Sequence, residues 1–173
     1  QGLKLIDEKL GGTTPLEILI KFKKDTAFDL KPEDLEGLSK EDIEMEHEYA
    51  AIRAKSPQYW FTPSKIQRIK EVQDYLDGRS EIGKVLSLAS MVRIAEDFLD
   101  KELDGLELAI LYTKISPAEK RDLIAPYVSI NNNEARFLAR VTDSKPDLRR
   151  KELLETVRYD LVNKLGFEKQ EIV

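Results

Sequence analysis

The sequence has no cysteine and one histidine, His47, in 173 residues. The first absence excludes disulfides, thiolate nucleophiles and cysteine-held zinc. The second removes the multi-histidine sets on which most catalytic zinc sites are built. No run of about 18 apolar residues occurs, so no segment is written as a membrane-spanning helix. The start, Gln1-Gly2-Leu3-Lys4, lacks the apolar stretch of a secretory leader. Taken as a whole protein these features describe a soluble cytoplasmic chain; taken as an excised piece they carry no address. A basic excess is missing too: 28 Lys and Arg stand against 33 Asp and Glu, a net charge of −5. With the two signs interspersed there is no stripe for a phosphate backbone, which argues against a nucleic-acid partner. The sequence also lacks Gly-x-Gly-x-x-Gly, a Walker lysine loop and Gly-x-Ser-x-Gly. Gly11-Gly12-Thr13-Thr14 leads into a strand pattern rather than opening a helix, so it is no phosphate cradle. These absences point away from an enzyme, and no cofactor is expected.

What is present is a globular composition, 41% hydrophobic and 35% charged, in a chain long enough for one domain with an insertion. Leu3, Ile6 and Leu10 align as a helix end that Gly11-Gly12 stops. From Pro15 to Lys23, Leu16, Ile18, Ile20 and Phe22 alternate with their neighbours as in a strand with one buried face. Residues 25–58 form a charged insertion, its stretch Glu41 to Ala54 helical and exposed. Thr62 and Pro63 then suit an N-cap and first helical position. Ile66, Ile69, Val72 or Gln73, and Leu76 follow as an apolar face that Gly78 closes.

A second strand is expected over Ile82–Leu88, and residues 89–126 form a helical insertion. Within it, Ala89–Leu99 and Leu106–Ile115 read as helices, and Ser116-Pro117-Ala118-Glu119 as a capping box. Tyr127–Ile130 and Ala135–Thr142 read as a hairpin about Asn131-Asn132-Asn133, since asparagine tolerates left-handed angles. A last helix starts near Pro146-Asp147, with Leu148, Leu153, Leu154, Val157, Leu161 and Leu165 on its apolar face and Gly166 at its end. Glu168–Val173 reads as a final strand. The order β-α-β, insertion, β-α-β predicts an α+β fold: a ferredoxin-like split β-α-β sandwich with a helical insertion, its strand pairing left open.

A set of short motifs carries a resemblance. They are Gly11-Gly12-Thr13-Thr14-Pro15-Leu16-Glu17, Tyr59-Trp60-Phe61-Thr62, Tyr75-Leu76-Asp77, and Gly83-Lys84-Val85-Leu86-Ser87-Leu88-Ala89. Leu108-Ala109-Ile110-Leu111-Tyr112, Leu123-Ile124-Ala125-Pro126-Tyr127-Val128-Ser129 and Arg140-Val141-Thr142-Asp143-Ser144 follow. In this order and spacing they resemble the first periplasmic loop, between transmembrane helices 1 and 2, of resistance-nodulation-division (RND) exporters of the MMPL-like, hydrophobe-exporting branch. The likeness runs from about Leu3 to Val173 and is weakest over Lys31–Ser56. It implies a single porter-type domain, residues 1–173, in the periplasm, as part of a bacterial inner-membrane protein driven by proton flow. The implied partners are the rest of the transporter, namely its transmembrane helices and second periplasmic loop, and a hydrophobic or lipid cargo. A homo-oligomeric parent is left open. The proton-carrying carboxylates of such exporters lie in membrane helices, outside this sequence. The alternative is a free-standing soluble ferredoxin-like module that binds a ligand or protein, since this fold hosts many functions.

Six residues are candidates for a substrate path. Tyr59, Trp60 and Phe61 are the densest aromatic cluster and suit either an acyl chain or the core beneath a helix start. Met91, Phe98 and Tyr112, with Leu106, lie in the helical insertion, read either as a lid over an apolar cleft or as packing on the open sheet face. His47, between Glu46 and Glu48, lacks a second histidine and reads as solvated, so no metal is expected. Arg149-Arg150-Lys151 and Lys21, Lys23 and Lys24 suit either lipid headgroups or a solvated helix turn and a protected strand edge. Glu33-Asp34 and Glu41-Asp42 are neighbours in an acidic run, without the facing geometry of a catalytic pair.

Overall fold

A computed structural model describes residues 12–22, 39–41, 57–142 and 149–173. The expectations for Leu3–Leu10, Lys23 and Lys24, His47, Glu33-Asp34, and the start of the last helix at Pro146-Asp147 with Leu148 lie outside them, as does most of the charged insertion. The chain is a mixed α+β protein whose antiparallel sheet carries helices against one face.

Strand β1 (Thr14–Lys21) buries Ile18 and Ile20 and turns Glu17 and Lys21 outward. It pairs antiparallel along its whole length with β3 (Glu134–Val141), from Thr14 opposite Val141 to Lys21 opposite Glu134. β3 alternates more strictly. Ala135, Phe137, Ala139 and Val141 are buried, and Arg136 and Arg140 are exposed, the period-2 pattern of a half-covered strand. β2 (Val128–Ser129) completes a short hairpin with β3. Its turn ends at Asn133, whose φ of 52° is the left-handed angle the asparagines were expected to supply.

Two further segments extend the sheet. Ile82 and Leu86 bridge to Val141 and Leu138 on the β2 side of β3, and Ile172 bridges to Ile20 on the outer side of β1, all antiparallel. Four residues separate the first two contacts on one strand and three on the other, so the Ile82–Leu86 segment bulges. The expected strands Ile82–Leu88, Tyr127–Ile130 and Glu168–Val173 are therefore shorter than the sequence suggested. Leu88 already begins a helix, and Lys169–Glu171 is a 3-10 turn before Ile172.

Helix α1 (Pro63–Asp77) packs the expected stripe Ile66, Ile69, Val72 and Leu76 into the core. Thr62 holds its N-cap position, but its hydroxyl donates back to the Tyr59 carbonyl (3.4 Å) instead of capping a helix amide. Helix α5 (Arg150–Asn163) buries Leu153, Val157 and Leu161. Leu154, expected on that face, is instead 50% exposed. Gly12 has a structural reason of its own: at φ 110° a Cβ there would lie 2.7 Å from the Val141 backbone. Only a residue without a side chain lets the chain approach the end of β3 this closely.

Candidate functional site

The first aromatic group lies inside the molecule. Pro57–Trp60 is a 3-10 turn leading into α1, and it brings Tyr59, Trp60 and Phe61 into the core, Trp60 without any exposed surface. Phe22 meets Trp60 edge-on with centroids 5.3 Å apart, and Phe22 meets Phe167 at 6.2 Å. Such T-shaped pairs set a ring's positive edge against a neighbour's negative face. The buried Lys65, from the first turn of α1, sets its ammonium 4.5 Å from the Tyr59 centroid, 4.8 Å from Phe22 and 5.8 Å from Trp60. A cation surrounded by ring faces recovers part of the hydration it gave up. The sequence reading missed Lys65. The signal was a lysine five residues after Trp60, on the side of α1 that turns toward the rings.

The second group lies in the helical insertion. Helix α2 (Leu88–Leu99) starts on a capping box in which the Ser87 hydroxyl accepts from Ala89 N–H and Ser90 Oγ from Ser87 N–H. The Ser87 and Ser90 hydroxyls both donate to Gln73 Oε1 of α1, at 2.6 and 3.1 Å. Lys70 pairs with Glu96 (2.6 Å) and Arg93 with Asp74 (2.5 Å), so α2 is fastened along α1. Asp104 and Glu107 make the box of helix α3 (Gly105–Lys114), and Ser116 and Glu119 that of α4 (Pro117–Leu123). Tyr112 of α3 packs on Phe61 at 5.1 Å and lies under the Lys120 ammonium. These contacts join the insertion to α1 and to Phe61 just before it.

This placement leaves apolar surface uncovered. α2 buries Leu88, Ala89 and Val92, and Met91 packs partly against the core. Ile94 is 70% and Phe98 88% exposed, with Leu99 half-exposed after them. On α3, Leu108 is buried and Leu111, Tyr112 and Ile115 lean on the core, while Leu106 is 71% exposed and Ile110 about half. Of the six candidates, three aromatics are therefore core, Tyr112 joins the insertion to that core, and Met91 and Phe98 border the outer surface. Ile94, Leu99 and Ile110 were missed there. The signal for Ile110 was the breadth of the apolar arc: α3 carries two charges in ten residues and is apolar on opposite sides, where one contact hides only one side.

A third cluster ties α1 to α5. The buried Asp160 carboxylate accepts from Tyr75 Oη (2.9 Å) and pairs with Lys164 (3.0 Å) and Arg79 (3.6 Å). Burial works to raise its pKa, but the hydrogen bonds from Lys164 and Tyr75 and the charges of Lys164 and Arg79 hold it below the ordinary range. Burial, then the bond to Asp160, pushes the Tyr75 phenol up to about 12. These shifts belong to a structural network in which the Asp160 carboxylate is met by two cations and a neutral phenol, while Arg79 Nε is buried with no hydrogen-bond partner among the described residues.

Among the described residues no group of three or more His, Asp and Glu side chains is placed to hold a metal ion. No described helix is long and apolar enough to cross a membrane. Comparison with protein-family models, with curated proteins and with solved structures finds no match.

Proposed function

We propose that this chain is a periplasmic porter-type domain of a proton-driven RND exporter of the MMPL-like branch, built on a ferredoxin-like frame. The frame is supported by the order across the sheet: Ile172, β1, β3, then Ile82–Leu86, antiparallel at every step. Two β-α-β units interleave in this order when their helices share one face. The functional reading also rests on the run of motifs from Gly11 to Ser144. The observation that carries it is the pair of exposed apolar side chains one turn apart on each helix, Ile94 with Phe98 on α2 and Leu106 with Ile110 on α3, displayed by a domain with a separate buried core. Exposed apolar clusters of this kind mark contact with a ligand or partner. In an exporter that contact is a hydrophobic or lipid cargo, or the neighbouring part of the transporter that guides it. The role is conformational and not enzymatic. Because Lys70–Glu96 and the Gln73–Ser87 bond fasten α2 to α1, a shift of the frame carries the apolar surface with it, the rigid-body mode by which packed units open and close a path.

The coding sequence on either side tests the reading. The exporter requires an apolar stretch of about 20 residues shortly before Gln1 and another after Val173, with a second loop of the same kind later in the frame. A frame that starts and stops at these residues removes the exporter. It leaves the second reading, a free-standing binding module, in which α2 and α3 take a soluble ligand or protein.

A further inference from the structure

The outer edge of β1 is paired over part of its length. At even positions β1 turns its backbone toward β3, a parity that Phe22 continues by donating to the Asn133 carbonyl (2.8 Å). At odd positions it turns away, and there Leu19 N–H donates to the Val173 carbonyl (3.1 Å) and the Leu19 carbonyl accepts from Val173 N–H (2.9 Å). Beyond Leu19 toward the start of the strand, the outward groups are the Glu17 N–H and C=O and the Pro15 carbonyl. No described residue pairs with them.

Two losses of burial occur beside this open stretch. On the core face of β1, Ile20 and Ile18 are buried but Leu16 only partly. On α5, Leu161 has no exposed surface, while Leu154, seven residues earlier on nearly the same stripe of the helix, is 50% exposed. Arg150 at the head of α5 reaches the Thr14 hydroxyl (3.4 Å), so both losses fall at the same corner. Asp160 faces Tyr75 of α1 from the other side of α5, which puts Leu154 on the flank above the β1 edge.

We propose that this edge is a strand-addition site whose occupant is an extended segment running antiparallel to β1, in line with Ile172 and Val173. The identity of that segment rests on the exporter reading: it is the parent chain's own run directly after Val173. The ladder fixes its register, with the second residue after Val173 exchanging both hydrogen bonds with Glu17. Alternation fixes its chemistry. Ile172 is buried opposite Ile20 and Val173 is exposed, so the first residue after Val173 lies beside Ile18, and the third beside Leu16 and beneath Leu154. Both are apolar, because a polar side chain there loses water without gaining a partner. This is β-augmentation, supplied by the protein's own frame.

The test compares amide hydrogen exchange in the 173-residue chain with that in a chain lengthened by the eight residues that follow in the parent frame. The Glu17 amide is expected to slow by about tenfold or more on lengthening, as an open edge joins the ladder. Leu154→Asn is expected to lower the Tm of the lengthened chain by about 2–4 °C and that of the 173-residue chain by less than half as much. Unchanged Glu17 exchange, or an equal Leu154→Asn effect in both chains, overturns the strand addition and leaves the exporter reading standing. A charged residue at the first or third position after Val173 overturns it in the same way. A frame that ends at Val173 removes the exporter reading and this occupant together.

Discussion

Helices α1 and α3 are both apolar enough to be buried, and they end in opposite states. In α1, Ile66, Ile69, Val72 and Leu76 form one stripe, and all of it is buried in the core. In α3, Leu108, Leu111 and Tyr112 turn toward the core while Leu106 and Ile110, on the opposite arc, face water. The stripe of α1 lies on one side of the helix and is wholly buried. The apolar arc of α3 is wider than any one contact of this domain. The difference separates apolar side chains that make the fold from apolar side chains that the fold displays, and substitutions can test that division directly.

The largest effect is expected where the frame is filled. Trp60→Ala removes a side chain with no exposed surface and is expected to cost about 3–5 kcal/mol in urea denaturation. If Trp60 served a cargo path at the surface, the loss would be small. Next comes the network joining α1 to α5. Asp160→Ala takes the acceptor from Tyr75 and Lys164 and is expected to cost about 1–3 kcal/mol. Its pH signature has a defined sign. The Asp160 pKa is lowered in the folded state, so its contribution is present above the ordinary carboxylate range and is lost as pH falls through the folded value. The Tyr75 pKa is raised from 10.0 to about 12, so its contribution is complete below pH 10 and is lost as pH rises toward 12. Tyrosinate absorbance should show a late-titrating phenol that Tyr75→Phe removes, and stability curves of the Asp160 variant should be flatter at both extremes.

Ser87→Ala sharpens the comparison at the join between frame and insertion. It deletes the cap on Ala89 N–H and the bond to Gln73, and about 1 kcal/mol is expected from the cap. The smallest effect belongs to the displayed surface. Phe98→Ser and Leu106→Ser are expected to change stability by about 0.5 kcal/mol or less, while lowering the fluorescence of a bound hydrophobic dye. A loss comparable to that of Trp60→Ala would mean that α2 and α3 are core after all, and the division between the two helices would fail.

The sequence by itself determined what is local. The stripe of α1, the three capping boxes at Ser87, Asp104 and Ser116, and the left-handed Asn133 each follow from interactions within a few residues; of the boxes, the one at Ser116 was readable beforehand. The α+β class followed from the switch between periods of two and 3.6. Only the tertiary structure decided which strands are neighbours, because period-2 alternation gives a strand its faces but not its partners. It also decided which apolar residues stay in water. Leu154, Phe98 and Leu106 look no different in sequence from Leu153, Val92 and Leu108, and their exposure depends on what stands opposite them. The same holds for Asp160, whose carboxylate stays buried because Tyr75 and Arg79 of a distant segment meet it there, and for the distant Phe22 ring that joins the nearby Tyr59 and Trp60 around Lys65. That meeting is a property of the packed chain, not of any window within it.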